Sequence, residues 1–299
     1  MKKKKKKKKK RPLLLFLLPV MAFFILLICT YLLIVIPEIS NLQLGTGKDR
    51  STVHEGKAKR EKPYTSHRPM PVRGVRGGQY RPKIAIIIDD LGNNLDLDLS
   101  LMELSLPLSL AILPSAPFTD LMVREATRKG REILLHQPME PKDYPCVKPG
   151  PGALLLSMNE REIRETLERN LRQVSGAKGL NNHMGSSFTE DRKKMSLVLQ
   201  ELRKRRLFYV DSRTTKGTVA FEQAKRMGVP AAERTLFLDN NADPEAIYRQ
   251  IKDLLRVAKR SGIAIGIGHP YSQTIEMLRK HQERLKREVE FVPVSELVR

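Results

Sequence analysis

Runs of apolar, β-prone residues recur along this chain with helical patterns between them, and nearly all of them end in residues able to bind a metal or a proton. Asp89 and Asp90 close KIAIIIDD, His136 closes EILLHQ, His183 follows KGLNN, Asp211 closes LFYVD, Asp239 closes TLFLD and His269 closes IAIGIGH. Strands that are each followed by an amphipathic helix build a parallel α/β sheet or barrel, whose active site lies at the carboxyl ends of the strands. Polar residues do end strands for ordinary reasons of solubility. Three histidines and four aspartates at six endings point instead to a shared site.

The strand-like runs IAIII, LSLAIL, EILL, GLNN, LFYV, TLFL, IAIGI and FVPV begin at Lys83. Ser157 followed by Glu160 predicts a capping box opening a helix through about Val174, with Ile163, Leu167 and Leu171 on one face. Asp243 before Pro244 predicts an N-cap with proline at the first helical position, on a helix that stops near Gly262. Leu197, Leu199 and Leu202 mark a further helix between Thr189 and Arg206. The alternation favours a barrel-like or open α/β fold.

The first 80 residues read differently. Met1 is followed by nine lysines and Arg11, and then 24 residues from Leu13 to Ile36 carry no charge. As a helix that stretch is about 36 Å long at 1.5 Å per residue, enough for a bilayer. No A-x-A cleavage pattern or lipobox accompanies it, so residues 12–36 read as an uncleaved signal anchor. Lysines on the 1–11 flank hold that end in the cytoplasm and send the remainder to the periplasm or cell surface. Residues 37–80 are rich in Pro, Gly, Lys and Arg without periodicity, the composition of a disordered basic linker. Residues 81–299 form the folded domain, long enough for one core.

The formal charge of +22 would suggest nucleic acid if it were spread over the fold. Ten of those charges are the lysine run and Arg11, and many others fall in the linker, so nucleic acid is not the expected partner. A basic tether beside a membrane suits anionic lipid head groups or wall polymers, or is a plain solvated spacer. Cys29 and Cys146 are the two cysteines, one in the apolar span and one in the domain, so no intramolecular disulfide is expected.

Two adjacent carboxylates at a strand end, Asp89 and Asp90, can divide the work, one binding a cation and one accepting a proton; a helix cap is the plainer alternative. His136 and His183 offer imidazoles at two further strand ends, and Gly185 follows His183 where backbone could approach a ligand. One carboxylate and two imidazoles with an open position is the ligand set of a catalytic zinc site. His269, in GIGHPY, is placed to donate a proton to a leaving group or to be a fourth ligand. Asp211, in VDSRTT, could orient that histidine, line a substrate groove, or cap its own turn.

Taken in order, IAIIIDDLG, LLHQPMEP, GLNNHMGS, YVDSRTT and GHPY resemble the divergent polysaccharide deacetylases, distant relatives of the metal-dependent NodB-homology deacetylases, from about Pro82 to Arg299. The resemblance implies a distorted (β/α) barrel and removal of N-acetyl groups from a cell-envelope glycan with Zn2+ or a similar divalent ion. It also implies a base and a ligand from the strand-end pair, mapped here as Asp89 the catalytic base and Asp90 a metal ligand with His136 and His183. The superfamily's second motif has two histidines four residues apart, whereas Glu140 stands four residues after His136. GLNNHMGS replaces the usual arginine and proline motif, so that His183 supplies the missing imidazole. The chain has no Trp to stack on a sugar. A catalytically inactive, glycan-binding scaffold module at the wall is the alternative reading.

Overall fold

The computed structural model describes residues 81–299. The expected cytoplasmic segment 1–11, anchor 12–36 and linker 37–80 lie outside the described residues. Among the described residues, no helix is long and apolar enough to cross a membrane.

A nine-stranded sheet organises these residues, and all its ladders are parallel. Its strands are β1 (Lys83–Leu91), β2 (Ser109–Ile112), β3 (Glu132–Met139), β4 (Gly179–Met184), β5 (Phe208–Asp211), β6 (Ala231–Glu233), β7 (Leu236–Phe237), β8 (Ile263–Gly268) and β9 (Glu290–Phe291). They run in the order β6-β5-β4-β3-β2-β1-β8-β7, with β9 beside the start of β1. The helices between them are α1 (Leu95–Leu101), α2 (Thr119–Arg128), α3 (Glu160–Gln173), α4 (Arg192–Arg205), α5 (Ala220–Arg226), α6 (Pro244–Ser261) and α7 (Ser272–Glu288). The sheet curls into a half-barrel. Its two ends are the consecutive strands β6 and β7, and no ladder joins them.

Both faces of the sheet are buried, which is why its strands read as continuous apolar runs rather than alternating ones. One face of β1 sends Ile84, Ile86 and Ile88 into the layer shared with the helices. The other sends Ala85 and Ile87 into a second cluster with Leu134, Val210, Ile265 and Ile267. Each such fully buried branched side chain is worth about 1.5–3 kcal/mol. The carboxyl-terminal segment closes this second cluster. FVPV forms only the two-residue β9 and then a 3₁₀ turn (Val294–Glu296), so that Val292, Val294 and Leu297 pack inside the curl instead of extending as a strand. Arg299 then exchanges two backbone hydrogen bonds with Ala231, at 2.9 and 3.1 Å, covering the free edge of β6.

The helix signals hold with one shift. The capping box of α3 is Asn159 and Glu162 rather than Ser157 and Glu160: Asn159 Oδ1 accepts from Glu162 N at 3.0 Å and Glu162 Oε2 accepts from Asn159 N at 2.7 Å. Asparagine serves as well as serine in that role, and the pattern repeats two residues later. Asp243 caps α6 and Gly262 ends it at φ 86°, as the sequence predicts. Strand β6 escapes the sequence reading because AAE has no β-branched or aromatic residue to mark it.

Candidate metal and acid–base site

Side chains on a strand alternate between its faces, so the inward apolar pair on each strand predicts which end residue faces the site. Ala85 and Ile87 lead to Asp89, Leu134 to His136, Val210 to Ser212, and Ile265 and Ile267 to His269. Register completes the ring: His136 lies opposite Asn181 and Pro138 opposite His183, and aligned residues of parallel neighbours share a face. Asp90 breaks parity. Its φ is 61°, and the β1–β2 register shifts between Ile88 and Leu91. That local kink turns Asp90 toward the same site as Asp89, a conformation aspartate tolerates better than most residues.

Asp90 Oδ1 lies 2.8 Å from His183 Nδ1 and 3.1 Å from His136 Nε2, and the two ring nitrogens are 3.2 Å apart. The protonation pattern follows from Asn181. Its Nδ2 donates to Asp89 Oδ1 at 2.7 Å, and since a carboxylate only accepts, the orientation of the amide is fixed. Asn181 Oδ1 therefore faces His136 Nδ1 at 2.9 Å, which must carry the proton, and neutral His136 presents a lone pair at Nε2. Asp90 Oδ1 is buried, and among the described residues the polar atoms it meets are the ring nitrogens His136 Nε2 and His183 Nδ1. Three electron-pair donors thus converge on one point, and these three residues form a group able to hold a metal ion.

Without a cation, protons take up the charge. Burial alone would raise the Asp90 carboxyl, but His136 and His183 hold it far below the usual carboxylate range. Burial alone would lower His136, but the charges of Asp89 and Asp90 and the bonds to Asp90 and Asn181 push it up to about 9. A bound cation replaces those protons, so its binding releases them. Asp89 is different. It is 3% exposed, and burial raises its carboxyl despite His136, His269 and the Asn181 amide. Its Oδ2 is 3.7 Å from His136 Nε2, at the edge of the cluster.

His269 is held from behind. Its Nδ1 bonds Asp239 Oδ1 at 2.8 Å, while Asp239 Oδ2 accepts from His269 N and Thr274 Oγ1, both at 2.7 Å. Phe237 and Tyr271 stack on the ring, with centroids 5.9 and 5.5 Å away, and Tyr271 remains 44% exposed. Burial would lower His269, yet Asp239, Asp89 and Asp90 together raise it. A Cβ on Gly268 would come within 3.2 Å of Asp239 Oδ2, so this close approach uses the missing side chain.

Several expected residues stand elsewhere. Asp211 has the parity opposite to Val210 and turns away from His269. Its carboxylate accepts from Arg213 N and Thr218 Oγ1 at 2.8 Å and from Phe221 N at 3.3 Å, capping its own loop. Asp239 takes the orienting place instead. Glu140 is no member of the Asp90–His136–His183 group; its Oε2 accepts from Leu156 N at 2.8 Å and pins the loop after β3. Gly185 serves packing rather than ligand approach: at φ 86°, its Cβ would meet Met139 Cβ at 2.9 Å. Asn181 and Asp239 were the residues the motifs left without a role. Strand parity and register, applied residue by residue, mark both.

A cleft of about 350 Å³ opens beside the trio, bordered by Asp90, His183, Asn93, Ser115, Pro138 and Lys148. A parallel, curled α/β sheet with a carboxylate–imidazole group at its strand ends defines the class of α/β proteins whose sites are built on strand termini. The family follows from comparison: the model of the divergent polysaccharide deacetylases matches residues 86–298, and the chain belongs to that family. An uncharacterised protein of Haemophilus influenzae is 36% identical over 217 residues, 73% of this chain and 77% of that protein. The uncharacterised protein YibQ of Escherichia coli is 32% identical over 217 residues, covering 72% and 67%. The crystal structure of an uncharacterised protein from Agrobacterium tumefaciens superposes with a TM-score of 0.71 at 28% identity, covering 74% of this chain and 91% of that one.

Proposed function

We propose that this chain is a metal-dependent hydrolase that removes N-acetyl groups from a cell-envelope glycan, working outside the cytoplasm and held to the membrane by residues 12–36. The observation that carries the reading is the convergence of Asp90 Oδ1, His136 Nε2 and His183 Nδ1 beside a second, separate carboxylate–imidazole pair. Two imidazoles and one carboxylate favour zinc. Asp90, His136 and His183 would hold a divalent ion, which would supply Lewis acidity to the acetyl carbonyl and the attacking water.

The chain's own groups supply the proton transfers. Asp89, its proton affinity raised by burial, accepts the proton of the attacking water, and Asn181 fixes its orientation. His269, with Nδ1 tied to Asp239, offers Nε2 to protonate the departing amine. The exposed ring of Tyr271 gives the rim an apolar face of the kind a pyranose stacks on. The anchoring and orientation rest on the charge asymmetry around the apolar span.

Full-length protein loaded with zinc should contain about one ion per chain and release acetate from N-acetylglucosamine oligomers or peptidoglycan fragments. Asp89→Asn and His269→Ala should lower turnover by about two to four orders of magnitude with metal content retained. Glycan binding without acetate release, at full metal loading, would establish the scaffold alternative. A reporter fused after Arg299 should be active only if it works outside the cytoplasm, and activity of a cytoplasm-only reporter would overturn the orientation.

A further inference from the structure

The cleft carries a charge that the hydrolase reading does not use. Among the described residues lining it, Lys148 is the one charged side chain outside the metal-binding trio. It is exposed, and among the described residues no carboxylate pairs with its ammonium group. Lys142, at the start of the same loop, is paired with Glu190 at 2.7 Å. A lysine kept from such pairing at the mouth of a reactive cleft is a point charge available to a ligand.

Its backbone is held firmly. Residues 141–151 include Pro141, Pro145, Pro149 and Pro151, each fixing its own φ. At the loop's far end, Gly152 O accepts from the amides of Gln137 and Asn170 at 2.9 and 2.8 Å. Gly152 has φ 72°, and a Cβ there would meet Asn170 Oδ1 at 2.7 Å. At the near end, Lys142 N donates to Ser186 Oγ at 3.0 Å, beside β4. The loop therefore carries Lys148 to the border of the cleft that Asp90 and His183 also line.

We propose that Lys148 selects substrates bearing an anionic group, a carboxylate or a phosphate, on or next to the N-acetylated sugar that enters the cleft. The proposal rests on the hydrolase reading for the identity of the sugar, but the charge preference is a property of the cleft and can be read by binding alone. A divalent ion held by Asp90, His136 and His183 would add to the charge of Lys148 at this end of the cleft, and a positive field there concentrates anionic ligands and weakens with salt.

The test uses full-length, zinc-loaded protein and three ligands: a neutral N-acetylglucosamine oligomer, a peptidoglycan strand bearing lactyl carboxylates, and the neutral oligomer carrying a phosphomonoester. Both kcat/KM for acetate release and Kd by calorimetry are measured for wild type, Lys148→Ala, Lys148→Glu and the distant control Lys252→Ala. The preference for at least one anionic ligand over the neutral one should fall about 1.5- to fivefold in Lys148→Ala, the range of an exposed ion pair, and further in Lys148→Glu. Lys252→Ala should keep it, and salt should erode it in the wild type alone. Which anionic ligand responds tells carboxylate from phosphate. Equal affinity of the wild type for all three ligands, or a preference that both Lys148 variants keep, overturns the proposal. If no acetate is released from any ligand, the hydrolase reading fails, and the binding series still decides the role of Lys148.

Discussion

Replacing Asn181 by leucine should damage metal binding although Asn181 is no ligand. The side chain is fully buried and makes two short contacts: its Nδ2 donates to Asp89 Oδ1 at 2.7 Å, and its Oδ1 accepts from His136 Nδ1 at 2.9 Å. Leucine fills about the same space and offers neither. Leaving a buried donor or acceptor unpaired costs about 1–3 kcal/mol, and more when the partner is charged, so the loss in folding stability should be about 3–5 kcal/mol. Zinc affinity should fall about 10- to 100-fold, the usual effect of removing the group that holds a ligand histidine in its tautomer. The assay is a competition titration against a chelator of known affinity, run beside urea denaturation so that loss of fold and loss of site are separated.

Asn181→Asp makes the reasoning refutable. An aspartate keeps an acceptor for His136 Nδ1 but removes the donor to Asp89 and sets a second carboxylate against it. Zinc affinity should then stay within about threefold of wild type, because the tautomer of His136 is kept, while acetate release falls by about two orders of magnitude or more. If Asn181→Leu binds zinc as tightly as wild type, or if Asn181→Asp loses as much affinity as the leucine variant, the assignment of the His136 proton by Asn181 is wrong.

Two further outcomes are expected. Asp98 accepts from Gly92 N at 2.8 Å with its other oxygen buried and unpartnered, and burial raises it from 3.8 to about 6 despite the Gly92 and Asn94 backbone groups. Because the folded value is raised, its contribution to stability is complete below about pH 3.8 and is lost as pH rises through about 6, an effect of about 1–2 kcal/mol once solvent screening is allowed for. Urea midpoints between pH 4 and 7 should show that fall in the wild type and a flatter profile in Asp98→Asn; parallel profiles would refute it. Asp211→Ala should cost about 2–4 kcal/mol by stranding the donors of Arg213, Thr218 and Phe221, with zinc stoichiometry unchanged, and a loss of zinc at intact fold would return Asp211 to the site.

The parallel α/β architecture was legible because both faces of β1 and β8 are buried and leave unbroken apolar runs, punctuated by strong signals such as Asp243-Pro244 and Gly262. The convergence of Asp90, His136 and His183 was legible for a related reason: a strand end is the one place where a buried run must turn polar. Asp239 and Asn181 were harder to see, because their roles depend on pairing rather than on their own segment. Asp239 faces His269 only because Phe237 is in register with Ile267, and Asn181 faces His136 only through the β3–β4 ladder. Those neighbours are separated by 30 and 45 residues, respectively, beyond the reach of any local pattern. Asp211 was over-read for the converse reason, since a strand-end aspartate one position off parity looks the same in a motif as one on it.

The same parity argument explains why two adjacent aspartates can serve one site. On an undistorted strand, Asp89 and Asp90 would point to opposite faces, and one of them would enter the helix-facing layer with Ile86 and Ile88. The left-handed conformation of Asp90 prevents this. A non-glycine residue there is strained by about 1–2 kcal/mol, a strain that persists only where the surroundings over-determine it. Met184 and Arg213, at φ 53° and 50°, stand at the end of β4 and two residues past the end of β5, so three of the strands that meet at the cluster have a left-handed residue at or near their end. Their hydrogen bonds show what fixes the turns: Met184 O accepts from Asn182 Nδ2 and Thr214 Oγ1, and Arg213 N donates to Asp211 Oδ1. Asp211 thus acts on the site at one remove, by shaping the exit of β5, where Ser212 Oγ comes within 3.3 Å of the Asn181 amide that joins Asp89 to His136.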